Sequence, residues 1–180
     1  MEDKKIIYIS LSNEKRNIGI NKIVIEKELI SKLVNIIDEK LIENGYIVFK
    51  SGNKPKVEDI IEESNKIKPD LHLCLHTYET KNRKDKNGPI IYVLNKNSIS
   101  EAIAMKIFKQ LKLIYYDPTY NRNIVYTENI NELKNTNLPS IYMELFGYDN
   151  EKDNNWFMKN IENIGNSIFL GINNYFKSRD

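Results

Sequence analysis

Residues 70–76 read DLHLCLH, a stretch in which leucines alternate with histidine and cysteine. Successive side chains of a β-strand point to opposite faces, so this pattern predicts a strand with one leucine face and a second face that carries His72, Cys74 and His76. His76 lies at the carboxyl end of the strand, where α/β enzymes collect their active groups. The stretch therefore indicates both a fold class and the position of a site.

The two histidines are not expected to share one metal ion. Four residues of strand separate their Cα atoms by roughly 13 Å, whereas a zinc–nitrogen bond measures about 2.1 Å. We expect His72 to be a buried, hydrogen-bonded side chain and His76 to be the candidate metal ligand. Cys74 is the chain's single cysteine, which excludes an internal disulfide, and its leucine neighbours favour a small core residue.

Composition indicates an ordinary globular chain. Its 180 residues are 41% hydrophobic and 29% charged, which predicts a single domain over residues 1–180. The 27 basic and 25 acidic residues are interspersed, so neither nucleic acid nor an anionic membrane is an expected partner. Because the chain lacks a long apolar run, we expect no signal peptide and no membrane insertion, and a cytoplasmic location as encoded.

Strand and helix patterns alternate along the chain. Strands are predicted at residues 5–10, 46–49, 71–76, 89–94, 124–127 and 140–144. Helices are predicted at residues 25–44, 57–67, from the capping box of Ser98 and Glu101, and at residues 129–134 and 152–176. This order predicts a single α/β domain, with a mainly parallel twisted sheet and helices on both faces.

Two carboxylates are placed to join His76 at the carboxyl edge of such a sheet. Glu144 ends an apolar strand, where an acid is either paired or functional because unpaired burial is costly. Glu26 opens the first long helix, where the helix dipole by itself favours a carboxylate. A purely structural role stays open for both residues.

In order and spacing these residues resemble the zinc-dependent N-acetylmuramoyl-L-alanine amidases of bacterial cell-wall turnover and phage endolysins, the Amidase_3 type. The similarity covers nearly the whole chain, through residues 7–10, 17–19, 26–45, 71–76, 118–122, 133–139, 144–150 and 156–175. It implies a peptidoglycan hydrolase that cleaves the amide between N-acetylmuramic acid and L-alanine. It also implies Glu26 and His76 as zinc ligands and Glu144 as the catalytic base, acting at the cell wall once the protein is released.

The chain departs from the family pattern at Arg16, which stands directly before Asn17-Ile18-Gly19, where the family carries its first histidine ligand. Arginine stays protonated and has no lone pair for a metal. Tyr78 also replaces a family asparagine two residues after the strand-end histidine. Arg16 and Tyr78, together with Arg122, are therefore candidate substrate-binding residues.

Three hypotheses follow from this departure. The first is an active zinc amidase. The second is a catalytically inactive member in which Arg16 pairs with Glu26 or Glu144, and which binds muropeptides or a protein partner. The third is a hydrolase with a shifted zinc site, in which Cys74 joins Glu26 and His76 as a ligand.

Overall fold

The computed structural model describes residues 4–11, 26–52, 54, 56–81, 87–120 and 124–178, with the side chains of residues 26 and 27 outside the description. Strands and helices alternate through these residues. They are β1 (Ile6–Leu11), α1 (Glu26–Glu43), β2 (Ile47–Lys50), α2 (Val57–Ile67), β3 (Leu71–Tyr78), β4 (Ile90–Val93), α3 (Ile99–Ile114), β5 (Val125–Tyr126), α4 (Asn131–Asn135), β6 (Ser140–Gly147) and α5 (Glu151–Phe176).

The strands form one sheet in the order β2-β1-β3-β6-β4-β5. Strands β2, β1, β3 and β6 are parallel, whereas β4 runs antiparallel to β6 and carries β5 parallel to itself. The expectation of a mainly parallel sheet is confirmed. The reversal at β4 brings its side chains beside the carboxyl end of β6, which matters for the site described below.

One face of the sheet is entirely apolar and is covered by the three long helices. Leu71, Leu73 and Leu75 are fully buried there, in a core shared with α1, α3 and α5. Burying each such leucine side chain contributes roughly 2 kcal/mol. Helices α3 and α5 meet closely at Gly171, where a Cβ atom would lie 2.5 Å from the Cα atom of Ile107.

The opposite face carries the polar side chains of β1, β3 and β6, and the shorter helices α2 and α4 cover it. Ser64 of α2 and Glu132 of α4 both contact His72 on this face. Helices therefore lie on both faces of the sheet, as predicted. Those on the polar face are shorter than those on the apolar face, and they contact the sheet through polar side chains.

Helix caps follow the sequence signals. The Ser98 hydroxyl accepts a hydrogen bond from the N–H of Glu101, and Asn150 caps α5 by accepting from the N–H groups of Lys152 and Asp153. In α5 the backbone leaves helical geometry at Asn160, where the helix kinks. Among the described residues, no helix is both long and apolar enough to cross a membrane.

Candidate active site

The polar face of the sheet brings His76 and Glu144 together. They are register partners on the adjacent parallel strands β3 and β6, near the carboxyl ends of both strands. Their side chains therefore leave the same face of the sheet from Cα atoms about 5 Å apart. The neighbouring register pair, Cys74 and Tyr142, continues the same face one step deeper in the sheet.

Aromatic side chains hold this pair in place. The Tyr142 ring stacks on the His76 imidazole, with 4.4 Å between ring centroids. The hydroxyl of Tyr92, on the antiparallel strand β4, donates a hydrogen bond of 2.7 Å to Oε2 of Glu144. Glu144 is only partly buried, so its carboxylate is both oriented by the protein and open to solvent.

Glu132 of α4 links the two histidines from above the sheet. Its Oε1 lies 3.2 Å from Nε2 of His72, and its Oε2 lies 3.7 Å from Nε2 of His76. The residue is only 4% exposed. Burial alone raises the pKa of Glu132, but its interactions with the His72 and His76 imidazoles outweigh burial and hold that pKa well below its usual range. Glu132 is thus an ionised carboxylate that faces both histidines.

His72 is buried and hydrogen-bonded, as the sequence predicts. Its Nδ1 lies 2.7 Å from the hydroxyl oxygen of Ser64, and its ring stacks on Tyr8. Cys74, beside it on β3, is also fully buried, and burial together with the Glu132 carboxylate raises the pKa of its thiol. One donor atom each from His72, Cys74 and Glu132 lie within 4.8 Å of one another.

This cluster differs from the set expected from sequence, in which Cys74 joins Glu26 and His76. Glu26 begins α1, but its side chain lies outside the described residues, as do Arg16 and Arg122. Sequence reasoning missed Glu132 altogether. The sequence predicts a short helix for its segment, and the hydrophobic pattern of that helix does not show whether the carboxylate is buried or exposed to solvent.

The substrate-binding role predicted for Tyr78 requires correction. The β3–β6 register shifts after His76, because β6 has one more residue than β3 between the partner pairs His76–Glu144 and Tyr78–Gly147. Tyr78 is 3% exposed, and its hydroxyl donates to the carbonyl oxygen of Gly88 at 2.9 Å and lies 3.3 Å from Oδ2 of Asp153 on α5. Tyr78 is therefore a packing residue.

The fold is that of known peptidoglycan amidases. The chain matches the CwlD amidase from Clostridioides difficile, solved in complex with the GerS lipoprotein, with a TM-score of 0.82 and 18% identity over 97% of this chain and 100% of that one. An N-acetylmuramoyl-L-alanine amidase from Clostridium difficile 630 matches with a TM-score of 0.82 and 20% identity over 98% and 99% of the two chains. The catalytic domain of the CD27L endolysin matches with a TM-score of 0.75 and 19% identity over 94% and 97%.

A comparison with curated protein sequences finds no match. The family assignment comes instead from the Amidase_3 model, described as N-acetylmuramoyl-L-alanine amidase, which matches residues 12–174. This family match, together with the fold, places the chain in the peptidoglycan-hydrolase class. The chain belongs to the N-acetylmuramoyl-L-alanine amidase family, Amidase_3.

Proposed function

We propose that the chain is a zinc-dependent N-acetylmuramoyl-L-alanine amidase that hydrolyses the amide between N-acetylmuramic acid and L-alanine in peptidoglycan. The observation that carries the proposal is the adjacent placement of His76 and Glu144 at the carboxyl ends of β3 and β6. A metal ligand beside a carboxylate base is the arrangement that metal-assisted amide hydrolysis needs.

The surroundings of His76, among the described residues, suit a role for this histidine as a metal ligand. Its Nε2 is buried and has no hydrogen bond of ordinary length, but it faces the Glu132 carboxylate at 3.7 Å. Metal-binding histidines commonly donate one ring N–H to a carboxylate, which directs the other nitrogen to the metal. We assign Nδ1 of His76 as that nitrogen and the carboxylate of Glu26 as the second protein ligand. Zinc bound there supplies a Lewis acid that polarises the scissile carbonyl and acidifies the attacking water.

Glu144 acts as the general base and acid in this proposal. It accepts a proton from the attacking water and returns it to the leaving amino group of L-alanine, so the carboxylate is regenerated after each turnover. The Tyr92 hydroxyl engages Oε2 of Glu144. That hydrogen bond orients the carboxylate and assigns the proton transfer to Oε1.

Arg16 changes the set of protein ligands that is available to zinc at this centre. With arginine in the place of the first histidine, the chain supplies Glu26 and His76 as protein ligands, and we expect zinc to bind more weakly than at a three-ligand site. Arg16 and Arg122 then remain our candidates for substrate binding. The protein would act at the bacterial cell wall.

The test is hydrolysis of purified muropeptides by the metal-stripped and zinc-supplemented protein, with the newly freed amino terminus of L-alanine measured by mass spectrometry. Replacing Glu144 by glutamine is expected to lower turnover by about 10²-fold or more while zinc binding is kept. The matched control is Glu162→Gln, at an exposed position on α5, which should leave turnover unchanged.

The result that overturns the proposal is a folded, zinc-supplemented protein that binds muropeptides without cleaving them. That outcome would establish instead the catalytically inactive, muropeptide-binding member of the family.

A further inference from the structure

A second group of metal-binding side chains lies deeper than the proposed catalytic centre. His72, Cys74 and Glu132 come from β3 and α4, and none of the three is more than 4% exposed. One donor atom of each lies within 4.8 Å of the others. In a tetrahedral zinc site, neighbouring donor atoms are about 3.5 Å apart, so the three side chains need to close by only about 1 Å around an ion.

The donor types match zinc in both softness and charge. A thiolate, an imidazole nitrogen and a carboxylate oxygen are all ordinary zinc ligands, and a thiolate disfavours the hard ions Mg²⁺ and Ca²⁺. The ionised forms of Cys74 and Glu132 carry two negative charges, which balance the two positive charges of the ion. A buried site with no net charge avoids the large cost of burying an uncompensated charge.

Ser64 allows His72 to bind a metal through one ring nitrogen while the other ring nitrogen keeps a hydrogen-bond partner. Without metal, the Nε2–H of His72 faces Glu132 at 3.2 Å, and the Ser64 hydroxyl, 2.7 Å from Nδ1, acts as the donor. With metal on Nε2, the ring proton resides on Nδ1 and is donated to Ser64 Oγ, since a hydroxyl both donates and accepts. The imidazole stays neutral, and the one proton released to solvent comes from the Cys74 thiol.

A fourth polar group, the Ser10 hydroxyl, lies beside the same cluster. Ser10 is fully buried on β1, is the register partner of Cys74, and has no hydrogen bond of ordinary length to its oxygen. It nevertheless lies close to the Glu132 carboxylate. An unsatisfied buried hydroxyl is costly, and a ligand between these side chains would remove the cost.

We propose that His72, Cys74 and Glu132 form a buried structural zinc site, with the Ser10 hydroxyl as its fourth donor. The site is covered by α2 and α4, so it holds α4 against the sheet rather than meeting substrate. Because Glu132 also faces His76, an ion on Oε1 fixes the carboxylate that orients the proposed catalytic histidine.

Cobalt(II) is the probe that separates this site from the catalytic centre. A thiolate bound to cobalt(II) gives a charge-transfer absorption band in the near ultraviolet, and Cys74 is the chain's single cysteine. The metal-stripped protein titrated with cobalt(II) is expected to show this band at about one equivalent. The Cys74→Ser variant should lose the band, whereas Glu26→Gln and Glu144→Gln should retain it.

Zinc stabilisation provides a second readout. An ion that binds only the folded protein raises its melting temperature, so zinc should raise the melting temperature of the parent and of Glu26→Gln but much less that of Cys74→Ser. If Glu26 and His76 do not bind zinc, the proposed amidase centre is wrong, but the cobalt–thiolate band remains. Failure of the amidase proposal can therefore be distinguished from failure of the buried site.

A folded parent protein that binds cobalt(II) without a thiolate band, or that binds none, overturns the buried site. The parent spectrum alone decides this, even if Cys74→Ser fails to fold. The cluster would then be a hydrogen-bond network only.

Discussion

The carboxylate of Asp153 accepts a hydrogen bond of 2.6 Å from the hydroxyl of Tyr115 inside the protein, at the junction of α5 and the end of α3. Asp153 is fully buried and also accepts from the backbone N–H of Gly88 at 2.8 Å. One carboxylate thus ties together two helices and the segment that leads into β4. Because β4 carries Tyr92, this junction also sets the position of the residue that orients Glu144.

Alkaline unfolding is the first prediction. Burial raises the pKa of Tyr115, and its hydrogen bond to Asp153 raises it further. The folded protein therefore holds the phenol proton more tightly than the unfolded chain, whose tyrosines titrate near pH 10. The stability due to this group is present below about pH 10 and is lost at higher pH, by about 1.4 kcal/mol per pH unit.

Denaturant unfolding of the parent and of Tyr115→Phe between pH 7 and 11 checks this prediction. The variant should be less stable at neutral pH, by roughly 1–3 kcal/mol, because a donor to a buried carboxylate is lost. Its stability should then fall less steeply above pH 10. Parallel curves for the two proteins would refute the assignment.

Substitution of Gly171 by alanine should destabilise the protein by about 1–3 kcal/mol. The added Cβ atom would lie 2.5 Å from the backbone of Ile107, and backbone cannot move aside as a flexible side chain can. Thermal unfolding measures the effect. The exposed neighbour Asn174, changed to alanine on the same helix, is the control and should not lower stability.

Replacing Tyr92 by phenylalanine should lower amidase turnover by roughly 10-fold, with little change in zinc affinity. The variant loses the hydrogen bond that orients Glu144 and keeps the ring that packs edge-on against Tyr142. Muropeptide hydrolysis at saturating substrate is the measurement. Tyr126→Phe is a suitable comparison, because its hydroxyl bonds Glu101 of α3 instead; equal losses in both variants would contradict the role given to Tyr92.

Arg16→His should strengthen zinc binding by completing the family's ligand set beside Glu26 and His76. Calorimetric titration of the metal-stripped protein checks this, with Arg16→Gln as the control that removes the charge without adding a ligand. A gain of about tenfold or more in affinity is expected for the histidine variant alone. If histidine and glutamine variants bind zinc equally, the metal centre does not lie where we propose.

Local patterns were sufficient to predict that His76 and Glu144 would converge. Alternation fixes which face a strand residue takes, and the carboxyl ends of adjacent parallel strands meet at one edge. The direction of β4 depends on its connection and not on its own four residues, so the contribution of Tyr92 was not visible in the sequence. Glu132 depends on tertiary neighbours in the same way, because a five-residue helix has too few positions to show which side is buried.

Tyr78 shows that similarity to a family position does not reveal whether a side chain is buried. It is a candidate because it stands two residues after His76 in the sequence, but contacts of its hydroxyl with Gly88 and Asp153 bury it.

The helices on the two faces of the sheet differ in length, and this difference should affect the rate of amide hydrogen exchange. Helices α1, α3 and α5 span 18, 16 and 26 residues, whereas α2 and α4 span 11 and 5. Amide hydrogens of α4 should therefore exchange with solvent long before those of α5, through an opening that leaves the apolar core closed. An ion held by Glu132 and Cys74 would enter and leave at the rate of that opening, so its residence time would report the lifetime of a single short helix on the sheet.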